Sequence, residues 1–145
     1  MRDLISIIVP CFNEEEALPI FYEELAKETK KLPCDTEVIF VDDGSKDRTP
    51  LIIKELCAEQ EGLRYVILSR NFGKEGAMLA GLREARGDYA VVMDADLQHP
   101  PRMIAGMYDA LKNPPEGEQP ESAACYRTRK GGKPVGSLLS RFIRK

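Results

Sequence analysis

Apolar residues recur along this chain in short unbroken runs, and most runs are followed by a segment with helical spacing. The runs cover residues 5–10, 38–41, 65–68, 88–93 and 122–126. Their length and their β-branched and aromatic residues predict strands. Helical periodicity is found over residues 14–31, 49–60, 74–86 and 101–112. This alternation predicts an α/β fold, in which one mostly parallel sheet carries helices on both faces, with neither an internal repeat nor a second domain.

Each of the first four predicted strands ends in a polar cluster. The clusters span residues 11–15, 42–49, 69–77 and 94–98. Because the carboxyl ends of parallel strands meet at one edge of a sheet, these clusters should lie together. Open α/β sheets bind their ligands at this edge, so the sequence predicts a single binding site there.

Asp94, Asp96 and Gln98 form the cluster that points most directly to chemistry. Side chains two residues apart in extended backbone point the same way, so Asp94 and Asp96 should face one cation with Gln98 beside them. Two carboxylates about 4 Å apart repel by roughly 4 kcal/mol at an effective dielectric near 20, which favours a compensating cation. Hard oxygen ligands select Mg²⁺ or Mn²⁺, shared with substrate phosphates. The alternative is an acidic turn that precedes the next helix.

Composition fits one domain with a sizeable core, since 43% of the 145 residues are hydrophobic and 31% are charged. No apolar run approaches the roughly 18 residues of a membrane span, and we expect no signal peptide. The four cysteines form no C-x-x-C pair, which indicates a reduced, cytosolic setting. Cys11 lies in the candidate site, where we expect a small buried residue rather than a reactive thiol.

Basic residues are concentrated at the C-terminus. The last 19 residues contain seven Lys and Arg and no acid, although the net charge of the chain is -3. Within residues 134–145 apolar side chains recur at helical spacing, at Leu138, Leu139, Phe142 and Ile143. This pattern predicts an amphipathic helix, which either lies on anionic lipid or packs on the domain or on further residues. Nucleic acid is not an expected partner, because only one aromatic residue interleaves the basic ones.

Four motifs in a fixed order characterise the chain: V-P-C-F-N-E-E from Val9, V-D-D-G-S-x-D-x-T from Val41, S-R-N-F-G-K-E-G-A from Ser69 and D-A-D-L-Q-x-P-P from Asp94. Together they resemble glycosyltransferase family 2, and within it the polyprenyl-phosphate glycosyltransferases, the group of dolichyl-phosphate mannose synthase and bactoprenol glucosyltransferases. The resemblance extends over residues 4–129. It implies a GT-A-type, Rossmann-like fold. It also implies metal-dependent, inverting transfer of a hexose from a UDP- or GDP-sugar to polyprenyl phosphate, with Mg²⁺ or Mn²⁺ as cofactor.

The resemblance also implies roles for individual residues. Asp43 would accept hydrogen bonds from the base and Glu14 from the ribose hydroxyls, while Phe12 would line the base or else belong to the core. Arg70 and Lys74 would contact the diphosphate or else be solvated loop charges. The expected nucleotide-sugar-binding residues are Pro10, Phe12, Glu14, Val41, Asp43, Arg70, Lys74, Asp94, Ala95 and Arg127; the expected catalytic residues are Asp96 and Arg129; the expected metal ligands are Asp94, Asp96 and Gln98.

Three further residues of these motifs fit other roles. Asp42 is typical of a side chain that caps the turn after its strand, although a role on the ligand is also open. Asp47, two residues before Thr49, is a helix-start signal. His99 is expected in a loop near the metal rather than on it.

The C-terminal part departs from the family pattern. Arg127 and Arg129 are two residues apart, whereas the family's two arginines are usually three apart, so their separate roles stay open. We expect residues 1–129 to form the donor-binding half, and residues 130–145 to begin an acceptor or membrane-proximal part at the cytoplasmic face of the membrane. Two alternatives remain, namely transfer to a saccharide hydroxyl, and nucleotide or metal binding without turnover.

Overall fold

The computed structural model describes residues 2–96, 100–118, 120, 122–128 and 134–144, the last two ranges as backbone. Its strands are β1 (Leu4–Cys11), β2 (Asp35–Asp42), β3 (Leu63–Ile67), β4 (Tyr89–Val92), β5 (Ser122–Thr128) and β6 (Pro134–Arg144). Its helices are α1 (Ala17–Thr29), α2 (Thr49–Glu59), α3 (Lys74–Glu84) and α4 (Met103–Lys112). In the described part of the chain, no helix has the length and apolarity to cross a membrane.

The strands form one sheet in the order β3-β2-β1-β4-β6-β5. Strand β1 pairs in parallel with both β2 and β4, and β2 pairs in parallel with β3. The chain therefore builds outward from β1 in one direction through β2 and β3, and then returns to place β4 on the other side of β1. At such a reversal the connections leave in opposite directions, which opens a crevice beyond the carboxyl ends of the strands.

Helices cover both faces of the sheet, as the sequence predicts. Alternate residues of β1, including Ile5, Ile7 and Val9, pack into the core formed with α1, α2 and α4. Ile8 points to the opposite face, where Ala77 of α3 lies in the second core. Burial on both faces explains why β1 is an apolar run rather than an alternating pattern.

Small residues of helix α3 allow it to pack closely on the sheet. A Cβ on Gly81 would meet the side chain of Ile8, and would also lie 3.1 Å from Val41 Cγ2. Gly81 therefore sets how close the backbone of α3 can approach β1 and β2. The first residue of this helix, Lys74, is placed at the sheet edge where the strands end.

A buried polar network ties the opposite edge of the sheet together. Glu37 of β2 accepts hydrogen bonds from the Ser6 hydroxyl at 2.6 Å, the Arg86 backbone N–H at 2.7 Å and the Arg64 guanidinium at 3.0 Å. Burial by itself raises the pKa of Glu37, but these hydrogen bonds and the Arg64 charge outweigh it, so the pKa is lowered. The ionised carboxylate is thus the form that this network stabilises.

The C-terminal segment is a strand, so the predicted amphipathic helix over residues 134–145 is wrong. Strand β6 pairs antiparallel with β4, with Phe142 opposite Val91 and Ile143 opposite Ala90. On its far side β6 pairs antiparallel with β5. The four residues of β4 are all buried, and the backbone groups on its open edge need a partner. This demand overrides the helical spacing of the apolar residues.

Candidate functional site

A cavity of about 300 Å³ lies beyond the carboxyl ends of β1, β2 and β4, at the reversal of strand order. It is lined by Pro10, Cys11, Phe12, Glu14, Asp43, Asn71, Gly73, Lys74, Asp94 and Asp96. Residues from all four polar clusters contribute to this lining. The cavity brings together seven of the predicted site residues: Pro10, Phe12, Glu14, Asp43, Lys74, Asp94 and Asp96.

The turn after β1 is held against the turn after β2 by long-range hydrogen bonds. Asn13 adopts a positive φ of 52°, which Asn tolerates better than most residues. Its backbone N–H donates to Ser45 Oγ at 2.9 Å, and its Oδ1 accepts the Lys46 N–H at 2.9 Å. The Glu14 N–H donates to Thr49 Oγ1 at 2.8 Å. The position of Glu14 in the cavity is therefore fixed by partners more than thirty residues away.

Asp47 belongs to the same connection, in the capping role that the sequence predicts. Its Oδ1 accepts the Thr49 N–H at 2.9 Å at the start of α2, and its Oδ2 accepts the Glu15 N–H at 3.3 Å. Burial acts to raise the pKa of Asp47, but the hydrogen bonds from Thr49 and Glu15 outweigh it and the pKa is lowered. An ionised Asp47 thus stabilises the two turns that frame the cavity.

Two adjacent aspartates at the end of β2 have separate contacts. Asp42 Oδ2 accepts the Ser45 N–H at 3.1 Å, so the predicted turn cap is present, while its buried Oδ1 has no hydrogen-bond partner among the described residues. Asp43 Oδ1 accepts the Phe72 N–H at 2.8 Å. Because Asp43 also lines the cavity, this bond orients its carboxylate between the β3–α3 loop and the space available to a ligand.

Gly44 allows these two loops to approach each other. Its φ is 76°, and a Cβ at this position would lie 2.5 Å from both Arg70 C and Asn71 N. Those are backbone atoms and cannot move aside as a flexible side chain would. Any other residue at position 44 would therefore push the β2–α2 turn away from the β3–α3 loop.

Asp94 and Asp96 both line the cavity, whereas Ala95 between them is 1% exposed. The two carboxylates thus share one side of the chain. Lys74 crosses from the start of α3, and its Nζ lies 2.6 Å from Asp94 Oδ2. Among the described residues, no group of three or more His, Cys, Asp and Glu side chains is arranged to hold a metal ion. Two carboxylates next to an open cavity are still a donor set that suits Mg²⁺ or Mn²⁺, which take one or two carboxylates plus substrate phosphates and water.

Negative charge dominates the cavity, and two groups show its effect. Burial is the first reason that the pKa of Glu14 is raised, followed by the charges of Asp96 and Asp94. Burial also raises the pKa of the Cys11 thiol, and nearby carboxylates raise it further. Its Sγ–H donates to the Val9 carbonyl oxygen, with 3.4 Å between Sγ and that oxygen. Cys11 is therefore a protonated, buried side chain rather than a nucleophile.

The remaining predicted site residues lie elsewhere. Val41 is fully buried against α3 and Ala95 is buried in the main core, so the structure does not bring either side chain to the cavity. Arg70 stacks on Phe72, with its Cζ 4.1 Å from the ring centroid, and lines a neighbouring cavity of about 490 Å³ that Phe12 also lines. Gln98, His99 and Arg129 lie outside the described residues, as does the side chain of Arg127.

Asn71 and Gly73 also line the cavity. The sequence gives Asn71 no predicted role, and it indicates for Gly73 only that the backbone there can approach a neighbour closely. Gly73 has a φ of 94° and immediately precedes α3, and Asn71 lies two residues earlier in the same loop. A positive-φ glycine before a helix, following a buried strand, is a signal that a ligand or a loop passes close to the backbone.

Several related proteins match between 69% and 99% of this chain. The putative glycosyltransferase CsbB of Bacillus subtilis is 42% identical over 148 residues, which cover 99% of this chain and 44% of that protein. The bactoprenol glucosyl transferase of Shigella phage SfV is 44% identical over 100 residues, covering 69% of this chain and 33% of that protein. The undecaprenyl-phosphate 4-deoxy-4-formamido-L-arabinose transferase of Pectobacterium atrosepticum is 40% identical over 101 residues, which cover 69% of this chain and 31% of that protein. The chain thus spans less than half the length of these relatives.

Solved structures share the fold. The mannosyltransferase PcManGT of Pyrobaculum calidifontis, in complex with GDP-Man and Mn²⁺, superposes with a TM-score of 0.78 at 22% identity, over 99% of this chain and 45% of that one. Residues 1–349 of S. aureus TarS, in complex with UDP-GlcNAc, give a TM-score of 0.55 at 30% identity, over 66% of this chain and 27% of that one. These likenesses confirm the expected α/β fold class.

The family itself is established by the sequence match. The model that describes glycosyl transferase family 2 matches residues 6–140, which include all four motifs and every described residue of the cavity. The names of the relatives agree with the narrower resemblance to the polyprenyl-phosphate group. This chain belongs to glycosyl transferase family 2.

Proposed function

We propose that this chain is the donor-binding part of a glycosyltransferase that moves a hexose from a nucleotide diphosphate sugar to a polyprenyl phosphate, with inversion at the anomeric carbon and with Mg²⁺ or Mn²⁺. The observation that carries the proposal is the convergence of Glu14, Asp43, Asp94, Asp96 and Lys74 in one cavity at the reversal of strand order. Four acids and one ammonium provide both hydrogen-bond acceptors for a nucleoside and charges for a metal diphosphate.

In this proposal the nucleoside lies between the ends of β1 and β2. Asp43 accepts a base N–H, since its Oδ1 is already oriented by the Phe72 N–H. Phe12, which is 44% exposed, covers the base or the ribose, and Glu14 accepts from the ribose hydroxyls. The hydrogen bonds that fix the two turns hold these groups in place before the ligand arrives, which reduces the entropy cost of binding.

The diphosphate then lies toward β4. Asp94 and Asp96 would hold the metal, with Gln98 as a further ligand. The bound metal would neutralise negative charge on the departing diphosphate. Reaction forms a bond between an acceptor phosphate oxygen and the anomeric carbon. The bond from that carbon to the donor's β-phosphate oxygen breaks, and the electron pair leaves with the nucleoside diphosphate. Arg127 and Arg129 are the candidate contacts for the phosphates of donor and acceptor.

The acceptor is proposed from its chemistry and from the relatives. Two of them are named for bactoprenol and undecaprenyl phosphate. A phosphate acceptor is already anionic near neutral pH, so transfer to it needs no strong general base. A lipid acceptor places the reaction at the cytoplasmic face of a membrane, with residues 130–145 toward the acceptor part.

The test is calorimetric titration of the chain with UDP, GDP, CDP and TDP, in Mn²⁺ and in excess EDTA. One diphosphate should bind in Mn²⁺ and lose most of its affinity in EDTA, because diphosphate and carboxylates repel without the cation. Asp94→Asn should lose this dependence, whereas the matched surface change Asp109→Asn on α4 should not. Equal affinity in Mn²⁺ and EDTA would contradict the metal site. Labelled sugar that reaches an oligosaccharide but not undecaprenyl phosphate would contradict the lipid acceptor.

A further inference from the structure

Lys74 joins two walls of the cavity through a short ion pair. It is the first residue of α3, and its Nζ lies 2.6 Å from Asp94 Oδ2 at the end of β4. The side chain of Asp94 is 23% exposed and that of Lys74 is 57% exposed. The ammonium is thus accessible to solvent and to an incoming ligand, while its partner is largely enclosed.

Lys74 is also the one basic residue among the described residues that line this cavity. The acids there are Glu14, Asp43, Asp94 and Asp96. Burial raises the pKa of Glu14, and the charges of Asp96 and Asp94 raise it further, so both aspartates act on Glu14 across the cavity. An ammonium on Asp94 therefore lowers the repulsion within the cavity in the absence of any ligand.

A divalent cation and this ammonium would require the same place. Mg²⁺ binds carboxylate oxygens at about 2.0–2.1 Å, so a cation on Asp94 Oδ2 would lie within a few Å of Nζ and be repelled by it. Lysine carries its charge on a flexible four-carbon stem, so the head group can leave Asp94 without movement of α3. A diphosphate that arrives with the metal offers the ammonium new oxygen acceptors nearby.

We propose that Lys74 is a positioning residue whose ammonium holds the cation's place on Asp94 before ligands bind and moves to the donor diphosphate when metal and nucleotide bind together. The proposal rests on the donor site described under Proposed function. It has an unusual consequence, since one side chain opposes the metal alone but favours the metal with nucleotide. Lys74 would thereby disfavour a bound cation without its substrate.

The test compares Lys74→Met with the parent chain, with Mn²⁺ as the probe. In titrations with Mn²⁺ alone, followed by calorimetry or by electron paramagnetic resonance of free Mn²⁺, Lys74→Met should bind the ion about two- to fivefold more tightly, the range expected for an exposed ion pair. With Mn²⁺ and the diphosphate that the parent chain binds best, Lys74→Met should bind about tenfold more weakly or worse, as expected for loss of a charged hydrogen bond.

Two controls separate the exchange from a general charge effect. Lys54→Met removes an exposed lysine of α2 that does not line this cavity and should change neither affinity. Lys74→Arg keeps the charge and should restore both affinities toward those of the parent chain. If Lys74→Met leaves Mn²⁺ binding unchanged, or shifts both affinities in one direction, the proposal is overturned. If Asp94→Asn retains Mn²⁺ binding, the metal site itself is wrong, and that failure is distinct.

Discussion

Replacement of Gly44 by alanine tests whether the β2–α2 turn and the β3–α3 loop are in direct backbone contact. The change adds one methyl group at a φ of 76°, 2.5 Å from Arg70 C and Asn71 N. A positive φ costs a non-glycine residue about 1–2 kcal/mol, and overpacking against atoms that cannot rotate away costs about 1–3 kcal/mol. We therefore expect Gly44→Ala to lose about 2–5 kcal/mol of unfolding free energy.

Two matched glycine-to-alanine changes isolate the two contributions. Gly62 has nearly the same φ, 77°, but its nearest atom would be Thr36 O at an ordinary 3.7 Å, so Gly62→Ala should lose only about 1–2 kcal/mol. Gly106 lies in α4, and a Cβ added there would have no atom within 4 Å. Gly106→Ala should therefore gain about 0.5–1 kcal/mol of unfolding free energy. Urea denaturation of the three variants gives the comparison.

The same change should affect the ligand, because Gly44 lies next to Asp43 and sets the distance to the Phe72 N–H that orients it. Nucleoside diphosphate affinity should therefore fall in Gly44→Ala and remain unchanged in Gly62→Ala, measured at a temperature where all variants are folded. If Gly44→Ala is no less stable than Gly62→Ala, the two loops do not make the close contact described, and the account of how Asp43 is oriented fails with it.

Two further outcomes are expected. Asp43→Asn should weaken binding of the nucleoside itself about ten- to hundredfold, whereas Asp96→Asn should weaken binding of the diphosphate and not of the nucleoside. Calorimetric titration of both variants with both ligands tests this, and equal losses of affinity in both variants would refute the division of roles. Because the folded-state pKa of Glu37 is below its ordinary value of 4.5, its stabilising contribution should be complete above that pH and be lost as the pH falls through the folded pKa. Glu37→Gln should then be less stable than the parent chain at neutral pH, and its unfolding free energy should fall less steeply as the pH is lowered. If the urea midpoints of the two chains run parallel between pH 3 and 7, this contribution is excluded.

The sheet was predictable because its central strands are buried on both faces. Such strands are unbroken apolar runs, and their parallel order brings the polar clusters after each run to one edge. That reasoning brought Glu14, Asp43 and Asp94 together in advance. It also placed Val41 in the site, although its side chain is buried against α3. The direction of that side chain depends on which face of the sheet α3 covers, which is a tertiary feature.

Contacts between distant turns could not be predicted from local patterns. Asn13 and Ser45 are 32 residues apart, and either would be an ordinary turn residue by itself. The stacking of Arg70 on Phe72 was equally invisible, since a loop arginine next to a phosphate site is the simpler reading of the sequence. The C-terminal helix was predicted wrongly because residues 138–143 fit a helical period, while the deciding factor was the open edge of β4.

The place of β6 makes the C-terminal segment part of the sheet that supports the site. Strand β4 ends two residues before Asp94, and β6 supplies its hydrogen-bonded neighbour on the side away from β1. Loss of residues 134–144 would leave the short, buried strand β4 with unpaired backbone groups on one edge, two residues before Asp94. Such an edge is a template for pairing with another molecule. A shortened chain would therefore tend to aggregate through β4, so the solubility of the donor-binding part would depend on residues 134–144.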